Sequence, residues 1–212
     1  MSRFFRIIAI SLFIIGFPLG SWYYLKKGLN YRMDIIHALD QNLGSMPEFT
    51  LSNQEGLTIE KVEGKRKLVI SNFTDLDQIE NSREHLKALY KIQDQFDKKD
   101  DILFFTFIKG DSLKDVHAFY KSLNIKEEKQ WHFLNGTMQQ MDAFIRDFPF
   151  PEGIQKSYVD NSLVVLSDTS QVIRYYYDMN VIEDRSNLIT HIAHLMPKAP
   201  AEETRMKREL EK

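Results

Sequence analysis

The chain has 212 residues, 43% of them hydrophobic and 12% aromatic, which suits one domain with a real core plus appendages and excludes a disordered or fibrous chain. Its net charge of −2 is unevenly spread: residues 1–43 carry five basic and two acidic side chains, leaving 23 basic against 28 acidic in the rest, which argues against nucleic-acid binding by a broad basic face. Cysteine is absent, so a disulfide, a thiolate nucleophile and a cysteine metal ligand are all excluded.

Residues 7–25, "IIAISLFIIGFPLGSWYYL", form a run of nineteen residues without a charge. At ~1.5 Å per residue it matches the hydrocarbon thickness of a bilayer. Trp22, Tyr23 and Tyr24 stand where amphipathic rings favour the interface, and Arg3, Arg6, Lys26 and Lys27 bracket the run. The expectation is one uncleaved transmembrane helix over residues 1–27, contacting lipid and leaving the rest on the extracytoplasmic, periplasmic side. Residues 28–43 read as a spacer or a short juxtamembrane helix, with "MDIIHAL" the one helical patch.

The domain is expected over residues 44–198. "PEFTLSNQEGLTIEKV" holds two alternating runs around Asn53 and Gly56, a hairpin signal. "KLVISNF" reads as a buried strand, and Ile79, Leu86, Leu89, Ile92 and Phe96 then recur at helical spacing. "DILFFTFI" is a second central strand, followed by an amphipathic helix over 113–123. "WHFLNG" is a short strand closed at Asn135-Gly136, and 137–148 is a helix stopped by Pro149 and Pro151. "SLVVLSD" and "VIRYYYD" make a hairpin, with a last helix over 183–195. This order gives an α/β domain whose central sheet is covered on both faces. Residues 199–212 read as a charged, solvated tail.

Several of these stretches resemble the thioredoxin-like fold as elaborated in the Sco/SenC family. "MPEFTLSNQEGLTI" is similar to that family's entry hairpin, "KLVISNFT" to the strand before its CPxxCP-type turn, "WHFLNG" to its W-x-F-L-x-G strand, and "YVDNSLVVLSDTSQVIRYYYD" to its V-D-H-[ST] segment and final hairpin. The likeness runs over about residues 45–196 and implies a mixed central sheet with an N-terminal β-hairpin, behind a membrane anchor. It also implies copper bound by two cysteines of the turn and one distant histidine, in the assembly of the copper centre of cytochrome c oxidase. Those ligands fall on Leu76, Glu80 and Asn161, none of which suits Cu(I), and thiol–disulfide exchange has no sulfur to use.

Asp77 and Glu80 instead form a D-x-x-E pair suited to capping a helix, in preference to a hard-metal site from Asp75, Asp77, Glu80 and Glu84. His132, Met138 and Met141 could offer nitrogen and thioether ligands to Cu(I), although methionines three apart more often fill a core. His191 and His194 have a zinc-compatible spacing but no evident third ligand. No phosphate-loop, dinucleotide or nucleophile-elbow motif occurs, and Ser71 and Ser162 have no histidine adjacent in sequence. In "RYYYD", Tyr175 and Tyr177 share one strand face and Tyr176 takes the other, so that one face is expected to be core and the other a docking patch. The expectation is a non-enzymatic protein without cofactor that works by contact with a membrane protein, in respiratory-complex assembly or as an accessory subunit. The alternative is a metal handler with a relocated Met/His or carboxylate site.

Overall fold

The structure is a computed structural model and describes residues 12–76, 79–109, 113–124, 129–152 and 162–196, with backbone alone at 79–81 and 113–116. In chain order the elements are helix α1 (Phe17–Leu39, led in by one π-helical turn), strands β1 (Thr50–Ser52), β2 (Thr58–Glu60) and β3 (Leu68–Asp75), helix α2 (Ile79–Gln93), β4 (Ile102–Lys109), α3 (Leu113–Ser122), β5 (Trp131–Leu134), α4 (Met138–Asp147), β6 (Leu163–Ser167), β7 (Ile173–Asp178) and α5 (Ile182–Leu195). The five main strands lie in the order β5-β4-β3-β6-β7. β3 pairs parallel with β4 and antiparallel with β6, so the sheet is mixed, and β1 and β2 form the separate hairpin.

Strand periodicity divides the core. Leu68, Ile70, Phe104, Trp131, Phe133, Val164 and Leu166 point to one face, where Leu86 and Leu89 of α2 and Leu188 and Ile192 of α5 cover them. Val69, Phe73, Phe105, Phe107 and Val165 point to the other, under Leu51 and Ile59 of the hairpin and Met141 and Phe144 of α4. β3 and β4 are buried along nearly their whole length, which explains their unbroken apolar runs. Burying each large side chain contributes about 1.5–3 kcal/mol.

Local chemistry sets the boundaries. Asn53 Oδ1 accepts from the amides of Glu55 at 3.0 Å and Leu57 at 2.9 Å, and Gly56 supplies φ +81°, so the β1–β2 turn forms where the sequence places it. Thr137 and Gln140 make a complete capping box at α4. The outer edge of β5 is covered by Gln54, whose amide donates to Trp131 O at 3.1 Å and accepts from Phe133 N at 2.9 Å. One side chain thus stands in for a neighbouring strand.

The N-terminal region departs most from expectation. Among the described residues no helix is long and apolar enough to cross a membrane, because α1 runs on through Lys26, Lys27, Arg32 and Asp34 and residues 7–11 of the apolar run lie outside the described residues. Of the two readings of residues 28–43, helix holds for 28–39, where it continues the preceding helix without a break, and Ile35 and Leu39 belong to the domain core. Arg174 holds Asp168 at 2.7 Å and donates from Nη1 to Gln41 O at 3.0 Å, while Leu43 N donates to Ile173 O at 3.0 Å and Ile173 N to Gly44 O at 2.8 Å. At Gly44, φ +112° and an added Cβ only 2.9 Å from Pro149 admit no other residue.

Candidate functional site

The resemblance directs attention to the carboxyl end of β3. Leu76, just beyond it, is partly buried and packs against the core beneath α2. Asp77, the side chain of Glu80 and Asn161 lie outside the described residues, and with them the expected cap. Asp75 is half-buried and engaged, and Glu84 is exposed on α2.

Beneath this turn a buried polar chain crosses three strands. The register sets Asn72 beside Thr106, whose hydroxyl donates to Asn72 Oδ1 at 2.7 Å and accepts from Trp131 Nε1 at 2.8 Å. Asn135 closes the next row by donating to Ile108 O at 3.0 Å. These polar groups pin the strands to one another, and pairing offsets the cost of burying them. Nothing local announces this polar chain, because a threonine inside "ILFFTFIK" reads only as a β-former.

The other candidates are dispersed. His132 lies on β5 with its ring 5.9 Å from that of Phe105, and its buried Nδ1 has no hydrogen-bond partner among the described residues. Burial depresses its pKa below the ordinary histidine value, against the pull of Glu55 and Glu63. Met141 is buried in the core with Phe144, whereas Met138 is 44% exposed, so the two thioethers meet different surroundings. His191 is buried, with Nδ1 2.7 Å from the Tyr177 hydroxyl, while His194 is exposed on the same helix. Burial, then the His194 charge, lowers the His191 pKa against Asp184. Among the described residues no three histidine or carboxylate side chains are placed to hold a metal ion.

Ser71 and His132 are not a nucleophile–base pair: the register places Phe105 between them, and two strand spacings come to about 10 Å. Ser162 accepts the amide of Met179 through its carbonyl at 2.9 Å. Tyr175, Tyr176 and Tyr177 divide between the faces as expected, but they offer no open docking patch. Tyr175 packs on Tyr177 at 4.8 Å and on His191 at 5.2 Å. Tyr176 is half-buried, donates to Pro149 O, and has its pKa pushed up to about 12 by burial.

A mixed five-stranded sheet entered through a hairpin, with helices on both faces, is a thioredoxin-like fold. No family model and no curated protein sequence matches the chain. Among solved structures its neighbours include Sco-family proteins alongside a putative protein disulfide isomerase from Bacteroides thetaiotaomicron. BsSco, a member of the Sco family of cytochrome c oxidase assembly proteins, is 16% identical over 71% of this chain and 92% of that one, with a TM-score of 0.58. A SCO1/SenC family lipoprotein from Bacillus anthracis is 18% identical over 71% and 94%, with a TM-score of 0.57. Yeast Sco1 with copper bound is 17% identical over 74% and 96%, with a TM-score of 0.55. At these identities the likeness is one of fold.

Proposed function

We propose that the chain is a divergent Sco-like protein that has left copper–thiolate chemistry and acts, without catalysis, by contact with a membrane protein partner. The observation that carries this reading is Leu76. Where the resemblance places a ligand stands an aliphatic side chain with no donor atom, partly buried against the core, in a chain without cysteine. The relocated alternatives lend little support, since Met141 is committed to the core and Met138 to the surface.

The N-terminal helix supports a membrane setting. Phe13, Leu19, Trp22, Leu25 and Leu29 are each more than half exposed, a larger apolar surface than a monomer in water sustains. Taken with residues 7–11, this run is the anchor, and the domain lies on the extracytoplasmic side, as suits a fold shared with a SenC-family lipoprotein. The partner belongs to a respiratory complex, either during its assembly or as a subunit the protein accompanies. This assignment rests on the fold shared with cytochrome c oxidase assembly proteins.

The test is affinity purification of the full chain, tagged at Lys212, from membranes solubilised in mild detergent. A stoichiometric respiratory-complex subunit is the expected companion. Recovery in the soluble fraction refutes the anchor, and copper retained at one equivalent through dialysis against a chelator refutes the loss of metal chemistry.

A further inference from the structure

At the amino end of β3, about 26 Å along the strand from Leu76, the β2–β3 connection and the tip of the β6–β7 hairpin border an open surface cavity of about 490 Å3. Lys61, Lys65, Arg66, Thr169, Ser170 and Gln171 line it, together with Val62 and one carboxylate, that of Glu48. Its walls are stitched together across the fold. The Arg66 amide donates to Thr169 O at 3.1 Å, and the Gln171 side-chain amide donates to Lys61 O at 2.6 Å. Arg66 and Gln171 both hold left-handed backbone, at φ 67° and 64°, which non-glycine residues adopt seldom. Beside them Gly64 has no room for a side chain, since a Cβ would lie 2.7 Å from Val69 Cγ2. The cavity is therefore built into the fold and needs no ligand to shape it.

Its charge is unbalanced. Lys61 is paired with Glu48 at 2.9 Å, but among the described residues no carboxylate pairs with Lys65 or Arg66. Asp168, the carboxylate of the hairpin turn, is already engaged: Oδ1 accepts from the amides of Ser170 at 2.8 Å and Val172 at 3.0 Å, and Oδ2 is held by Arg174 at 2.7 Å. Glu63 is not among the residues lining the cavity. Two uncompensated cations, with hydroxyls beside them, thus face a concavity on a domain whose overall balance is acidic.

We propose that this cavity binds a phosphate-bearing anion, engaged by the Arg66 guanidinium and the Lys65 ammonium and oriented by the Thr169 and Ser170 hydroxyls. A guanidinium fork matches two oxygens of a phosphate, an ammonium adds a compact charge, and the cavity is of small-ligand size. The shared chemistry is the phosphate, carried by a free anion or by a lipid headgroup, and the two arms of the test separate the two sources.

The full chain in a neutral maltoside detergent is titrated separately with inorganic pyrophosphate and with the short-chain lipid dihexanoylphosphatidylglycerol, followed by calorimetry and amide chemical shifts. The expected result is saturable binding of at least one titrant, with shifts at Arg66 and Ser170. Saturation by pyrophosphate alone identifies a free anion, and by the lipid alone a headgroup. Lys65→Gln with Arg66→Gln should weaken binding at least about tenfold, the loss of charge-assisted bonds. Lys121→Gln, an exposed cation on α3, should leave it unchanged. Ser170→Asp, at the exposed tip, brings a carboxylate into the cavity and should abolish binding even if the double variant folds poorly. Neither titrant saturating, or equal loss in Lys121→Gln, overturns the proposal.

Discussion

Thr106→Val isolates the contribution of the buried polar chain. Valine keeps the β-branched shape that suits the central strand, so packing is retained and the hydroxyl alone is removed. That hydroxyl serves two fully buried partners, Asn72 Oδ1 at 2.7 Å and Trp131 Nε1 at 2.8 Å, and no water reaches either in its place. Each buried polar group left without its partner costs about 1–3 kcal/mol, and two are orphaned, so the variant should lose about 2–6 kcal/mol. Thr106→Ser keeps the oxygen and removes one methyl, for about 1 kcal/mol. The chain has two tryptophans, and Trp22 lies on the exposed helix, so in a Trp22→Phe background the fluorescence of Trp131 reports urea unfolding at the chain itself. The two variants should differ by at least about 1 kcal/mol at equal denaturant slope. If Thr106→Val proves as stable as Thr106→Ser, the polar chain does not stabilise the sheet and the reasoning is refuted.

Gln54→Ala should uncover the β5 edge, costing about 1–3 kcal/mol for its two bonds and speeding hydrogen exchange at the Phe133 amide, while exchange in β3 stays slow. His132 and His191 both have folded pKa values depressed by burial below the ordinary 6.5, so the unfolded chain takes up protons first as the pH falls. The stability they contribute is present above pH 6.5 and drains away as the pH drops through that value toward their lower folded values; thermal melts of His132→Gln should show a shallower acid slope, and an unchanged slope would exclude His132 from the effect. Leu76→Cys, Glu80→Cys and Asn161→His together should confer copper retention through dialysis that no single change confers, and a folded triple variant without copper would show that the carry-over of ligand positions is wrong.

The strands and their order were legible because apolar alternation and unbroken β-branched runs depend on local sequence: "KLVISNF" and "DILFFTFI" became β3 and β4 as read. Contacts distant in sequence were not. Gln54 in a turn signals polarity, yet its partners lie 77 and 79 residues away on β5. Ile35 and Leu39 belong to a patch too short to announce burial, and only the arrival of β7 and α5 makes them core. Leu76 became interesting through resemblance alone, since a leucine after a strand carries no chemical signal of what it replaced.

Helix α1 enters the domain core with no hinge between its apolar half and its buried last turn. With the apolar run in a bilayer, that continuity makes the helix a shaft and not a tether. The fourteen helical steps from Leu25 to Leu39 would hold the domain at a reach of about 21 Å, and the helical pitch would set its heading. Deleting one residue between Lys26 and Asp34 would swing the whole domain about 100° around the shaft and lower it by about 1.5 Å, whereas deleting seven would nearly restore the heading about 10 Å closer to the lipid. Length and phase in a segment exposed along its whole length would then decide which face of the domain a partner fixed in the membrane plane can meet.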